Sequence, residues 1–114
     1  MSTNTISWND CVKQSNNKPD LAQQLLDMLA LELPEFNKQI STALKQNNIK
    51  QLEFHTHKLH GACCYCGANN LKSMLHEMEN NLSTWTSAEV QKKTQLILEE
   101  IQAVATAIRT KSYK

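Results

Sequence analysis

His55-Thr56-His57-Lys58-Leu59-His60-Gly61-Ala62-Cys63-Cys64-Tyr65-Cys66-Gly67 holds three of the four histidines, three of the four cysteines and both glycines of the chain. Its apolar residues are spaced for a helix. Ile49, Leu52, Thr56, Leu59, Cys63 and Cys66 recur at intervals of three and four, which marks one face of a helix over about 49–66. Gly67 then falls where a left-handed C-terminal cap belongs. At about 100° per residue, Lys50, Glu53, His57, Gly61 and Cys64 point the opposite way, with His60 at the flank. A helix with one apolar stripe must bury it against other elements. The fold therefore depends on whether the flanking sequence supplies matching helices.

It does on both sides. Asn-Asn pairs at 16–17, 47–48, 69–70 and 80–81 punctuate the chain, and asparagine tolerates left-handed backbone and caps helix ends. Upstream, a short helix is predicted over about 7–16, capped by Ser7 with Asp10 in capping-box spacing. Its Trp8 is read as a packing residue. A long helix over about 20–46 follows, opened by Pro19 in the first turn and bent near Pro34. Its apolar face is read as Leu21, Leu25, Met28, Leu29, Leu33, Phe36, Ile40, Ala43 and Leu44. Downstream, a helix over about 69–82 carries Leu71, Met74, Leu75, Met78 and Leu82. The last helix, about 87–110, opens on a Thr86/Glu89 capping box with Trp85 and Val90 as a hydrophobic staple. The tail from Thr110 to Lys114 is expected to fray. These patterns predict an all-α fold. It is an antiparallel up-and-down four-helix bundle with a short extra N-terminal helix.

Composition agrees and narrows the function classes. A chain of 114 residues is expected to form one domain, 1–114. Two glycines and two prolines suit a few long elements. A net charge of +1 without a basic stripe gives no sign of nucleic-acid binding. No apolar run approaches the roughly 20 residues of a membrane span, and residues 1–7 lack the pattern of a secretion signal. The expectation is a cytoplasmic domain without membrane contact of its own, with reduced thiols. The four cysteines give no disulfide framework, since Cys63, Cys64 and Cys66 lie too close on one helix.

Chemistry concentrates on the outward face. His57 is expected at mid-helix in solvent, where it contributes no packing. One turn on stands Gly61, although a glycine inside a helix costs roughly 1 kcal/mol relative to alanine. The missing side chain clears room beside the imidazole for an incoming active site. Neutral imidazole is a nucleophile near neutral pH, and phosphoryl transfer needs in-line positioning with positive charge near the phosphoryl oxygens. Lys58 and His60 are the local cation candidates.

His57-Lys58-Leu59-His60-Gly61 followed by Gly67 resembles the signature of the histidine phosphotransfer (HPt) domains. The resemblance extends through Trp8, Lys18-Pro19-Asp20-Leu21-Ala22, Leu33-Pro34-Glu35, Leu52, Leu71, Leu75 and Glu79, most of residues 8–82. It is nearest to the C-terminal HPt domain of hybrid sensor kinases of the BarA/GacS type. The resemblance implies a phosphocarrier in a multistep phosphorelay, without kinase activity of its own. His57 would take a phosphoryl group from a receiver-domain aspartate and pass it to a response regulator. The cofactor expectation is none intrinsic, with Mg²⁺ supplied by the receiver. Lys58, His60, Gly61 and Cys64 would centre the docking surface, with Glu35, Lys38 and Gln39 at its rim. The domain would be a monomer, at the cytoplasmic end of an inner-membrane sensor kinase or free. The sequence departs from the family where His60 replaces the usual Lys or Arg three residues after the histidine. Lys58 is a candidate substitute.

Other readings compete. A lone helical histidine is ordinarily a surface residue. His55 is expected to be hydrogen-bonded at the core edge, and His76 to be structural or solvent-exposed. Gly67 reads as a helix cap rather than a contact residue. The methionines at 28, 74 and 78 read as core, as do Cys63 and Cys66. Cys64 reads as an exposed thiol. The main alternative function is a metal- or redox-responsive module using His60, Cys63 and Cys64, whose spacings of three and four suit two or three ligands but not a closed zinc site. A purely structural adaptor ranks below it. Thiol catalysis by Cys64 and His60 ranks last, for want of an orienting acid.

Overall fold

The computed structural model describes residues 5–114 and contains five helices. They are α1 (Trp8–Gln14), α2 (Pro19–Lys45), α3 (Ile49–Cys63), α4 (Asn69–Asn81) and α5 (Ser87–Thr110). The reading of residues 1–4 as free of a secretion signal lies outside the described residues.

Helices α2, α3, α4 and α5 pack in a ring, each against the next and α5 back against α2, while α1 lies on α2. This is the expected four-helix bundle with one added N-terminal helix. The 27 residues of α2 span about 40 Å at 1.5 Å each, the full 41 Å length of the molecule. The core runs along the ring through Leu26, Leu33, Ile40, Leu52, Leu59, Leu71, Leu75, Met78, Ile97, Ile101 and Val104. Thr56 joins it, because its hydroxyl donates to the Leu52 carbonyl at 2.8 Å and so enters the core satisfied. α2 continues through Pro34, which sits on the solvent side while Leu33 and Phe36 stay buried on either side of it. The Thr86/Glu89 capping box forms in both directions, and Ser7 accepts from the Asp10 N–H. Asn16, Asn17 and Asn47 adopt positive φ. The other two asparagine pairs lie inside the first and last turns of α4. Among the described residues no helix is long and apolar enough to cross a membrane.

Several placements differ from the sequence reading. On α2, Met28 is 57% exposed and Leu21 38%, while Ala22 and Leu26 are buried in their stead. Two apolar stripes run side by side in this half of the helix. The one in phase with Leu29, Leu33 and Phe36 faces the core. Ile49 is also largely exposed. The tail beyond Thr110 packs: the Tyr113 ring lies 5.6 Å from Trp8, its hydroxyl donates to Gln23 Oε1 at 3.0 Å, and Lys114 Nζ sits 4.8 Å over the Trp8 ring. The expected fraying is replaced by this aromatic contact between the two ends of the chain.

The third helix ends at Cys63 instead of reaching residue 66. Its last turns tighten, with the Cys64 N–H on Gly61 and the Cys66 N–H on Cys63. The tightened turn presents two carbonyls to α1. Cys66 accepts from the Cys11 thiol at 2.7 Å, and Gly67 accepts from the Ser7 N–H at 2.9 Å. Gly67 does take left-handed backbone, at φ +66°. It is also a contact residue, since a β-carbon there would lie 2.5 Å from the Ser7 carbonyl oxygen and 2.7 Å from Cys11 Sγ.

Candidate functional site

The outward face of α3 is where the sequence places it, and α4 completes it. His57 is 74% exposed at its side chain. Its Nδ1 lies 3.0 Å from Glu79 Oε1 on α4. The same carboxylate oxygen lies 2.9 Å from His60 Nδ1. His60 is only 17% exposed and Glu79 26%, so the carboxylate sits in a partly closed cleft with one half-buried and one exposed imidazole. An ionised carboxylate only accepts hydrogen bonds. Where Glu79 is ionised, the two Nδ1 atoms are the donors of these bonds, an assignment made from the heavy-atom geometry. His76 flanks the cluster, its ring 5.9 Å from that of His60 and its Nε2 bonded to Asn80. It is exposed.

One turn along α3, Gly61 has nothing within 4 Å of where a β-carbon would stand. No internal contact requires a glycine at this position. The empty space lies outside the domain, beside His57, and Cys64 at the end of the same face is half-buried.

The other docking candidates lie on the α2 side of the face. Lys58 points from His57 toward α2, its Nζ 5.5 Å over the Phe54 ring. It lines a groove with Leu31, Glu32, Glu35, Phe36 and Gln39. Glu35 and Gln39 are thus in one groove with Lys58, and Lys38 is exposed but outside that lining. His57 shares a depression with Lys50, two turns back, and with Glu53, Phe54, Thr56, Glu79 and Leu82. Glu79 and Lys50 are the two residues the sequence reading gave no part in the site. His55 departs too, since its buried Nδ1 has no hydrogen-bond partner and its ring meets Phe54 edge-on.

The metal and redox alternative finds no geometry to support it. Among the described residues no three His, Cys, Asp or Glu side chains gather as a metal site. His60 spends its Nδ1 on Glu79, Cys63 is buried, and all four cysteines are free. Burial pushes the Cys11 and Cys63 thiols up to about 12 and Cys66 up to about 11 from an ordinary 9.0. The thiolate is the reactive form. An aromatic disulfide reagent at about pH 8 should therefore modify one thiol of the folded protein, Cys64, and all four after unfolding; two fast-reacting thiols would contradict this placement. The sign of the linkage is set by the same burial. The three buried thiols stabilise the fold fully below pH 9.0, and this contribution is lost as pH rises toward 12.

Known proteins resemble this chain in sequence and in backbone. The family model described as Hpt domain matches residues 24–110. The chain is 32% identical over 102 residues to the signal transduction histidine-protein kinase BarA of Shigella flexneri, and equally to BarA of Escherichia coli strain K12. Each alignment covers 89% of this chain and 11% of the relative, so the chain spans about a tenth of the length of the curated relatives it matches. A crystal structure of the HPT domain from a sensor hybrid histidine kinase of Shewanella superposes with a TM-score of 0.87 at 34% identity, covering 94% of this chain and 92% of that one. Agreement in sequence and in backbone along nearly the whole length places the chain in the Hpt domain family, the histidine phosphotransfer domains of phosphorelays.

Proposed function

We propose that His57 is the phosphoryl acceptor and donor of this domain, and that it works through Nε2. The observation that carries this reading is the hydrogen bond from His57 Nδ1 to Glu79 on a side chain otherwise in solvent. It fixes the tautomer whose Nε2 lone pair is free. That nitrogen attacks the phosphorus of an aspartyl phosphate on a receiver domain. The N–P bond forms as the acyl O–P bond breaks, and the aspartate leaves as carboxylate. The reverse step passes the group to the aspartate of a second receiver. Glu79 balances the positive charge that grows on the ring. The receiver domain supplies Mg²⁺, and the domain has no kinase activity of its own.

The surroundings suit a protein partner. Leu31 is 82% exposed and Phe54 54%; both adjoin Lys58, Leu31 in its groove and Phe54 beneath its Nζ. Exposed apolar residues rimmed by charge are typical of docking surfaces. Gly61 lets the receiver backbone approach the ring, and Lys50 offers positive charge on the α4 side. The partners are the receiver of a hybrid sensor kinase and a downstream response regulator. The domain acts as a monomer in the cytoplasm, tied to the cytoplasmic end of a membrane kinase or free.

Incubation with a phosphorylated receiver should transfer label to the chain as an acid-labile, base-stable phosphoramidate. ATP alone should transfer none, and labelling by ATP alone would end the phosphocarrier reading. Glu79→Ala should accept label about tenfold more slowly, the loss of one hydrogen bond to a charged group. An unchanged rate would remove Glu79 from the mechanism.

A further inference from the structure

We infer that His60 is a positioning residue for His57, acting through Glu79, which it holds in the orientation that keeps the His57 ring in one tautomer. The inference rests on His57 being the phosphoryl acceptor and extends it to a residue that never touches the phosphoryl group.

The geometry is asymmetric in a way that assigns the roles. Both rings reach the same oxygen, Glu79 Oε1, at 2.9 Å from His60 and 3.0 Å from His57. His60 is the half-buried partner and His57 the exposed one, 17% against 74%. A hydrogen bond in a partly closed cleft competes little with water, whereas one on an exposed side chain competes fully. The His60–Glu79 bond is therefore the standing one. It restrains a glutamate that would otherwise sample several rotamers on the surface of α4. With the carboxylate held, His57 docks its Nδ1–H on an acceptor already in place.

The chemical consequence concerns which nitrogen is nucleophilic. Free neutral histidine favours hydrogen on Nε2, which would leave Nδ1, next to the backbone, as the nucleophile. The clamped Glu79 reverses that preference and leaves Nε2, the outer nitrogen, unprotonated. The space over Gly61 is then open to a group arriving at the outer edge of the ring. His60 thus has a part that does not need it to contact phosphate, and it explains why a ring with a donor at Nδ1 stands in the cleft. Asparagine carries an N–H donor at nearly the same place as histidine Nδ1, so it is the conservative replacement. Leucine fills the space without a donor.

The test is two-bond ¹H–¹⁵N correlation of the histidine rings in the ¹⁵N-labelled domain at about pH 8.5, well above the ordinary imidazole midpoint. The wild type should show His57 and His60 both as Nδ1–H forms. In His60→Leu the His57 ring should move toward the Nε2–H form, and the rate of label acceptance from a phosphorylated receiver should fall about fivefold, as expected for one lost hydrogen bond. His60→Asn should restore both. A His57 tautomer unchanged in folded His60→Leu would overturn the inference, as would His60→Asn failing to rescue. If His60→Leu does not fold, the wild-type spectrum decides, because His60 in the Nε2–H form is incompatible with the clamp. The ring spectra need no phosphate. Tautomer coupling without any label transfer would therefore remove the acceptor reading and leave the clamp standing.

Discussion

His57→Gln should take no label from a phosphorylated receiver while folding as the wild type does. Both halves follow from the position of the side chain. At 74% exposure the ring buries little apolar surface, and its one bond is to a glutamate that His60 also holds. Exposed substitutions of this kind ordinarily change stability by no more than about 0.5 kcal/mol. The amide of glutamine keeps the approximate size and can still donate to Glu79, yet its nitrogen has no lone pair available for attack. Transfer therefore falls by orders of magnitude, to the background of the assay, with the melting temperature nearly unmoved. His55→Gln and His76→Gln serve as controls and should label normally. His60→Gln should label at a reduced rate. Equal labelling of wild type and His57→Gln would transfer the acceptor role to another residue, and His76 would then be the first to test.

The bundle was legible because each helix carries its own signal. The Thr86/Glu89 capping box, the Ser7 cap, Pro19 and the left-handed asparagines fix boundaries locally, and the stripe on α3 separates Leu52, Leu59 and Cys63 from His57 and Gly61 without reference to anything else. What was not legible depends on a second element. Leu21 and Met28 form a stripe as regular as that of Ala22, Leu26 and Leu29, and only the neighbours of α2 decide between them. The end of α3 is set by α1, which takes up the carbonyls of Cys66 and Gly67. The packed tail depends on Trp8, at the far end of the chain.

The site divides in the same way. The face with His57 and Gly61 follows from helical geometry, whereas Glu79 lies 22 residues from His57 across a turn. A signal for it did exist. In an antiparallel helix pair, residues equidistant from the turn face each other. The pairs His57 with Glu79 and His60 with His76 are both centred on Ala68, next to the left-handed Gly67. Locating the turn from that glycine brings Glu79 and His76 onto the site. Lys58, adjacent in sequence, lies about 100° around the helix from His57, and the structure places it over Phe54 and toward α2.

The two glycines should respond to the same substitution in opposite directions. Gly67→Ala puts a β-carbon 2.5 Å from the Ser7 carbonyl oxygen and 2.7 Å from Cys11 Sγ, at φ +66°. Left-handed backbone alone costs a non-glycine residue roughly 1 kcal/mol. The clash is with backbone at an N-cap, which cannot turn aside as a side-chain tip can, so either α1 shifts or it lifts away. Lifting it breaks the Ser7–Gly67 and Cys11–Cys66 hydrogen bonds and exposes Cys11, which is fully buried. The combined loss is about 3 kcal/mol, a fall of roughly 10 °C in melting temperature for a domain of this size. Cys11 should then become reactive to thiol reagents well before global unfolding. Gly61→Ala meets nothing within 4 Å and replaces the poorer helix former, so it should raise stability by about 0.5–1 kcal/mol. Gly61→Gln should keep most of that gain and slow transfer from a receiver by about tenfold or more, since even about 1 Å of misplacement in an in-line reaction is costly. A stable domain that transfers poorly, beside an unstable one whose His57 face is intact, would separate the glycine kept for the partner from the glycine kept for the fold. Full transfer by Gly61→Gln would show that the receiver never approaches that side of the ring. Gly67→Ala melting within about 2 °C of wild type would show that α1 does not rest on the turn after α3.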